Sequence, residues 1–149
     1  MLTNVDAVTV FNGRLDKDSR RTKYIPTVIR GVSYVEAKGA AISSSGVWGD
    51  NINFKIRIPL SAEIPSGRSF LPDLEYAPLD DAEAVKYWTV QKTDLILEGE
   101  HAGDGSALFE DALMAYAKEK GLTVIHVAEY ADNTKGSSLY MRHWRIGGK

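Results

Sequence analysis

Cysteine is absent from this chain, which excludes disulfides, thiolate-bound zinc and cysteine nucleophiles. An excess of charge is missing as well. The chain has 18 Lys and Arg against 20 Asp and Glu, a net charge of −2 and a pI near 5.9. No global field therefore draws it to nucleic acid or to an anionic membrane, and a DNA-binding domain more often has a pI above about 9. No apolar run approaches the ~20 residues that span a bilayer. The first residues, MLTNVDAVTV, lack a basic stretch followed by an apolar core, so no signal peptide is predicted. Internal repeats and low-complexity tracts are also missing.

The residues that are present suit one folded domain. Of 149 residues, 44% are hydrophobic and 26% charged, which predicts a single domain over 1–149. VDAVTVF (5–11) is short and β-branched, and the Asn12-Gly13 after it supplies the positive φ values of a tight hairpin turn. RLDKDSRRTK (14–23) has no periodicity and reads as an exposed loop or a solvated strand arm. YIPTVIRGVSYVEA (24–37) is β-rich; Pro26 suits an edge position, and Gly31 suggests a bulge or barrel corner. KGAAISSSGVWGDN (38–51) reads as a turn-rich connection. In INFKIRI (52–58), Ile52, Phe54, Ile56 and Ile58 alternate with Asn53, Lys55 and Arg57, predicting one buried and one wet face.

Pro59, Pro65, Pro72 and Pro78 punctuate 59–79 and forbid a long helix or central strand there, so this stretch reads as a long exposed loop on the surface or wrapped around a neighbour. DDAEAVKY (80–87) offers one helical turn with acids at its start. In KYWTVQKTDLILEG (86–99) two apolar runs flank a polar kink. It reads as two strands around a corner, with Trp88 in the core near the helix stripe of Leu113 and Tyr116, and Asp94 bonding its own local backbone. SALFEDALMAYAKEKG (106–121) is the one strong helix. Ser106 is its expected N-cap and Gly121 its left-handed end, and Leu108, Phe109, Ala112, Leu113, Tyr116 and Ala117 share one face. TVIHVAEYA (123–131), a turn at 132–138 and LYMRHWRIG (139–147) form a terminal β-hairpin. The predicted fold is α+β and β-rich: a strongly bent antiparallel sheet or small barrel, one packed helix in the C-terminal half, and that hairpin.

Nothing in the sequence assembles a catalytic set, a metal site or a cofactor site. His101, His126 and His143 show no close paired spacing, whereas zinc ligands normally do. His126 and His143 are placed to face each other across the terminal hairpin as half-buried strand residues. HAGDG (101–105) lacks the phosphate-loop pattern and reads as a helix-entry loop. The serines of SSSG (43–46) and KGSS (135–138) stand in no nucleophile elbow. Asp80-Asp81 and Glu110-Asp111 are sequence neighbours whose side chains point apart. A small hydrolase or metal enzyme would require His101, Asp104, His126 and His143 to converge. Two segments are candidates for partner contact. The basic arm carries Arg14, Lys17, Arg20, Arg21 and Lys23, which suit phosphates. The proline-rich insert carries Ile64, Phe70, Leu71 and Leu74, apolar residues in want of a surface.

TVIRGVSYVEA (27–37), NFKIRIP (53–59), YWTVQKTDLILEGE (87–100) and the closing RHWRIGGK (142–149) together carry a resemblance. The combination resembles minor structural proteins of Gram-positive siphophages and prophages, of the head-tail connector or head-closure type. The resemblance covers most of residues 24–149, and its motifs are short. It implies a non-enzymatic neck subunit, a small barrel or sandwich that assembles in a homo-oligomeric ring around the DNA channel. Its partners would be portal, neck or tail proteins, with non-specific contact to packaged DNA. Its location would be the virion, and the host cytoplasm during assembly. The insert at 59–79 departs from a minimal barrel of that kind. In such a ring, the stretches 14–23 and 59–79 are expected to be loose in the monomer and ordered on assembly. The alternative is a β-rich carbohydrate-binding module using exposed aromatics, Trp48, Trp88 or Trp144 with Tyr34 or Tyr87.

Overall fold

The computed structural model describes residues 6–42, 48–103, 105–134 and 143–149, without the side chains of 36–42, 48–53 and 133. Its centre is a closed ring of strands. β1 (Asp6–Asp16) pairs with β6 (Leu95–Glu98), β6 with β8 (Val124–Asn133), and β8 with β9 (His143–Gly148). β9 pairs with β3 (Trp48–Pro59), β3 with β2 (Arg21–Ile42), and β2 returns to β1. Every one of these pairings is antiparallel. The bent sheet therefore closes as a small barrel, and closure removes the unpaired edges that an open sheet carries. The terminal hairpin is the β8–β9 pair.

β2 serves two neighbours in turn. It pairs with β1 as far as Asp6↔Val32, then with β3 from Ser33↔Arg57 onward. Gly31 stands between the two halves with φ 83, where the β1–β2 register slips. That is a bulge at a backbone angle glycine adopts freely, and bulges supply the bend that barrel closure needs. Close approach decides Gly148 as well. A Cβ there would sit 2.5 Å from the His126 carbonyl oxygen.

Two turn expectations are corrected. Asn12-Gly13 is not a turn but lies inside β1, opposite Ile25 and Tyr24. The turn falls at 17–20, closed by Arg20 N–H donating to the Asp16 carbonyl at 2.8 Å. Most of 14–23 is thus the paired tip of the β1–β2 hairpin. Residues 38–51 are likewise not a connection. Lys38–Ile42 pair with Trp48–Ile52, while 43–47 lie outside the described residues.

Alternation sorts the core into two layers. Val8, Val10, Ile29, Val32, Phe54, Ile56, Ile58, Ile96, Ile125, Val127 and Ile146 fill the barrel with Trp88 and Val90. Their neighbours Phe11, Leu95 and Leu97 point outward and are covered by α3 (Glu110–Lys120) through Leu113 and Ala117. Leu95-Ile96-Leu97 runs apolar without alternation because both faces of β6 are buried, one in the barrel and one under the helix. The helix begins four residues after Ser106, with Phe109 at the cap position, because Leu108–Phe109 forms a short strand, β7, against β2. Gly121 ends it at φ 68, as expected. Ala112, placed on the buried stripe by spacing, is exposed.

The insert 59–79 runs over the surface with most of its residues exposed, and it is fastened to its own domain at several points. Arg30 and Glu63 bridge as backbone partners. β4 (Ser69–Phe70) pairs in parallel with β5 (Tyr87–Trp88). α1 (Asp73–Tyr76) buries Tyr76 completely, and α2 (Asp81–Ala84) is capped by Asp80, which accepts from Glu83 N–H. Arg68 is held by the Pro26 carbonyl, by Thr27 Oγ1 at 2.8 Å and by the Val85 carbonyl at 3.0 Å. In a monomer, trypsin is therefore expected to cut after Lys17 or Arg20 well before Arg68. Equal cleavage rates in a digestion time course would show the insert to be unpacked.

Candidate functional site

The polar kink of the sequence builds a buried knot. Asp94 is fully buried and accepts four hydrogen bonds. Gly13 N–H and Gln91 N–H donate at 2.9 Å each, Asn12 Nδ2 at 2.8 Å and Gln91 Nε2 at 3.1 Å. Asn12 also donates to the Thr89 carbonyl at 2.6 Å and accepts from Thr89 N–H at 3.2 Å. Burial pushes the Asp94 carboxyl up to about 6, against the pull of its donors. Every partner is a group of the chain, and the knot ties β1 to the corner before β6. This is a positioning device, the local Asx bond the sequence suggested extended by two residues of β1.

The basic arm is largely spoken for. Arg14 donates to Asp81 Oδ1 at 3.2 Å and to the carbonyls of Tyr76 and Leu79, and its guanidinium lies 5.1 Å from the centre of the Tyr76 ring. Lys23 Nζ reaches Asp81 Oδ2 at 2.7 Å, and together the two cations hold the Asp81 carboxyl below its ordinary value. Arg21 pairs with Asp111 at 3.2 Å and stacks over Phe109. Lys17 and Arg20 remain exposed at the turn. The five cations therefore do not form one phosphate-facing cluster; three of them fasten the arm to the insert and the helix.

The four apolar insert residues divide. Ile64 and Phe70 pack on the barrel core, Leu71 is half-buried, and Leu74 is 85% exposed. Phe70 lies 4.9 Å from both Trp88 and Trp144, ring centre to ring centre, and the two indoles are 5.1 Å apart. Trp88 is fully buried as expected, but in this aromatic plug and not beside the helix stripe. Among the described residues Trp88 and Trp144 thus form no exposed row for a sugar to stack on. The Trp48 side chain lies outside the described residues.

The histidines do not meet. His101 sits between Phe11 and Tyr116, with ring centres 5.6 and 4.5 Å away. His126 opposes Leu95 near one end of β8, while His143 opposes Asn133 at the other, so they do not face each other across the hairpin. Asp104 lies outside the described residues. No group of three potential metal ligands gathers among the described residues.

One feature of the surface escaped the sequence reading. The outer face of β3 and β9 is a basic wall. Ser33, Arg57 and Arg145 stand in one register row, with Val35, Lys55 and Gly147 in the next. Ser33, Val35, Lys55, Arg57, Arg145 and His143 line an open groove of about 440 Å³. Arg57 Nη2 approaches His143 Nδ1 at 3.3 Å. Lys55 and Arg57 were legible as a wet face, and Arg145 only as part of a terminal strand. That they share one wall depends on the β3–β9 pairing, which joins segments far apart in sequence.

No curated protein and no solved structure matches the chain. A family model does match, over residues 2–149. The chain belongs to DUF6751, a family of unknown function.

Proposed function

We propose that this chain is a structural subunit of a phage or prophage neck, of the head-tail connector type, acting by ring assembly and without catalysis. The observation that carries the reading is the long β2–β3 ribbon. Phe54 and the residues after it are embedded in the barrel, where β3 also pairs with β9. Beyond Phe54, among the described residues, Ala37–Ile42 and Asn53–Trp48 pair with each other alone. Among the described residues, a barrel closed by its other strand pairings thus projects a two-stranded ribbon with both edges open. Two-stranded ribbons are marginal by themselves in water, and open edges accept strands from partners. Such an arm suits a subunit that completes its fold against neighbours, and the resemblance in 27–37, 53–59, 87–100 and 142–149 points the same way.

Purified particles test this. The chain is expected in them at fixed stoichiometry, and deletion of its gene should leave DNA-filled heads without tails. Replacing residues 38–51 by an Asn-Gly turn should keep the barrel folded and abolish incorporation. Particles that lack the chain, or that take up the shortened form normally, would sink the reading.

A further inference from the structure

The basic wall has a property that its own molecule does not resolve. Arg57 and Arg145 are direct cross-strand partners, and like charges placed opposite each other destabilise a sheet. Lys55 stands beside them in the same groove. Glu129, on β8 of the same wall, lies over Gly147, where a Cβ would fall 2.8 Å from its Oε1. Among the described residues Glu129 makes no ion pair with Lys55, Arg57 or Arg145. Val35, 48% exposed, lines the same groove, and the aliphatic stems of the cations add apolar surface around it. Among the described residues the groove therefore offers an apolar seat ringed by positive charge that no carboxylate pairs.

The insert presents the complement. From Pro72 to Ala84 it carries Asp73, Glu75, Asp80, Asp81 and Glu83 and no Lys or Arg. Asp73 is engaged by the Tyr130 hydroxyl, Asp81 by Arg14 and Lys23, Glu83 by Lys86, and Asp80 caps α2. Leu74 and Glu75 have no such commitment among the described residues, and Leu74 is the most exposed large apolar side chain among them. A lone exposed leucine means little by itself. A leucine between Asp73 and Glu75, opposite a groove of matching apolar and basic character, has a stated partner.

We propose that the Asp73-Leu74-Glu75 knob of one copy seats in the Lys55-Arg57-Arg145 groove of a second copy. This rests on the ring-assembly reading and names a contact for it. The two surfaces are different, so the contact is head-to-tail, and such contacts close into rings when the rotation permits. Its charge complementarity makes it weaken with salt.

Sedimentation velocity across protein concentration tests it, with near-UV circular dichroism to verify folding. Wild type is expected to form species larger than a dimer, and added salt should dissociate them. Leu74→Asp and the groove variant Arg145→Glu, both at exposed positions, should each sediment as monomers. An equimolar mixture of the two should give dimers and nothing larger, because one intact knob and one intact groove remain. Variants that assemble like wild type would overturn this contact and leave the ring reading intact. A wild type that stays monomeric at every concentration would also overturn it, while incorporation into particles tests the ring reading separately. Tight binding of labelled duplex DNA, lost in Arg145→Glu with sedimentation unchanged, would reassign the groove to a phosphate backbone.

Discussion

Truncating Trp88 to alanine is expected to cost about 3–5 kcal/mol of stability, the range for removing a large buried aromatic. Its side chain is fully buried, and both its ring neighbours, Phe70 and Trp144, lose their packing partner when it goes. The damage extends outward, because Phe70 is the residue that seats the insert on the barrel. Urea unfolding should therefore show a lower midpoint, and trypsin should begin to cut at Arg68. Trp88→Phe separates volume from hydrogen bonding. The indole Nε1 is buried with no acceptor, and an unmet buried donor already costs about 1–3 kcal/mol. Phenylalanine removes that donor while keeping most of the ring, so it should cost much less than alanine. An alanine variant with an unchanged midpoint would mean that Trp88 does not hold the plug together.

How much of this was legible follows from which signals are local. INFKIRI declared its inside and outside because period-two alternation is a property of one strand. Gly31 declared the bulge, and Gly121 the end of the helix, because each answers to its own backbone angle. Asn12-Gly13 misled for the same reason. The pair carries a turn signature, yet here Asn12 and Gly13 serve Asp94, a residue 82 positions from Asn12, and no local rule sees that. The ribbon segments 38–42 and 48–51 were missed because their glycine, alanine, asparagine and aspartate carry no apolar alternation. The four prolines of the insert excluded long regular structure and left most of it exposed, but they did not reveal where it is fastened. Arg14, Arg68 and Phe70 fasten the insert to the barrel, and their partners come from distant segments. The basic wall was half-visible, as the wet face of INFKIRI, until the pairing set β9 beside it.

Removing the Asp94 carboxylate should be the most damaging polar change. In Asp94→Ala the amides of Gly13 and Gln91 keep their places in the backbone and lose their acceptor. Both amides are partly buried, and an unmet donor costs up to about 1–3 kcal/mol when buried in full. Asn12 and Gln91 lose side-chain partners as well, which loosens the tie between β1 and the corner before β6. The group also leaves a pH signature. Its folded value is about 6, above the ordinary 3.8, because burial disfavours the charge more than its donors favour it. A carboxyl raised on folding binds more protons in the folded state, so its contribution to stability is greatest below about pH 4. That contribution is lost as pH rises through about 6, by up to about 3 kcal/mol. Asp81 and Glu100, both held below their ordinary values by basic partners, give slopes of the opposite sign at lower pH, so the wild-type curve alone does not isolate Asp94. The difference between wild type and Asp94→Asn does, since asparagine does not titrate. Urea midpoints of the two proteins should draw apart as pH falls from 7 towards 4, with wild type gaining relative to the variant. Parallel curves would mean that Asp94 titrates at its ordinary value, and that its four donors offset its burial in full.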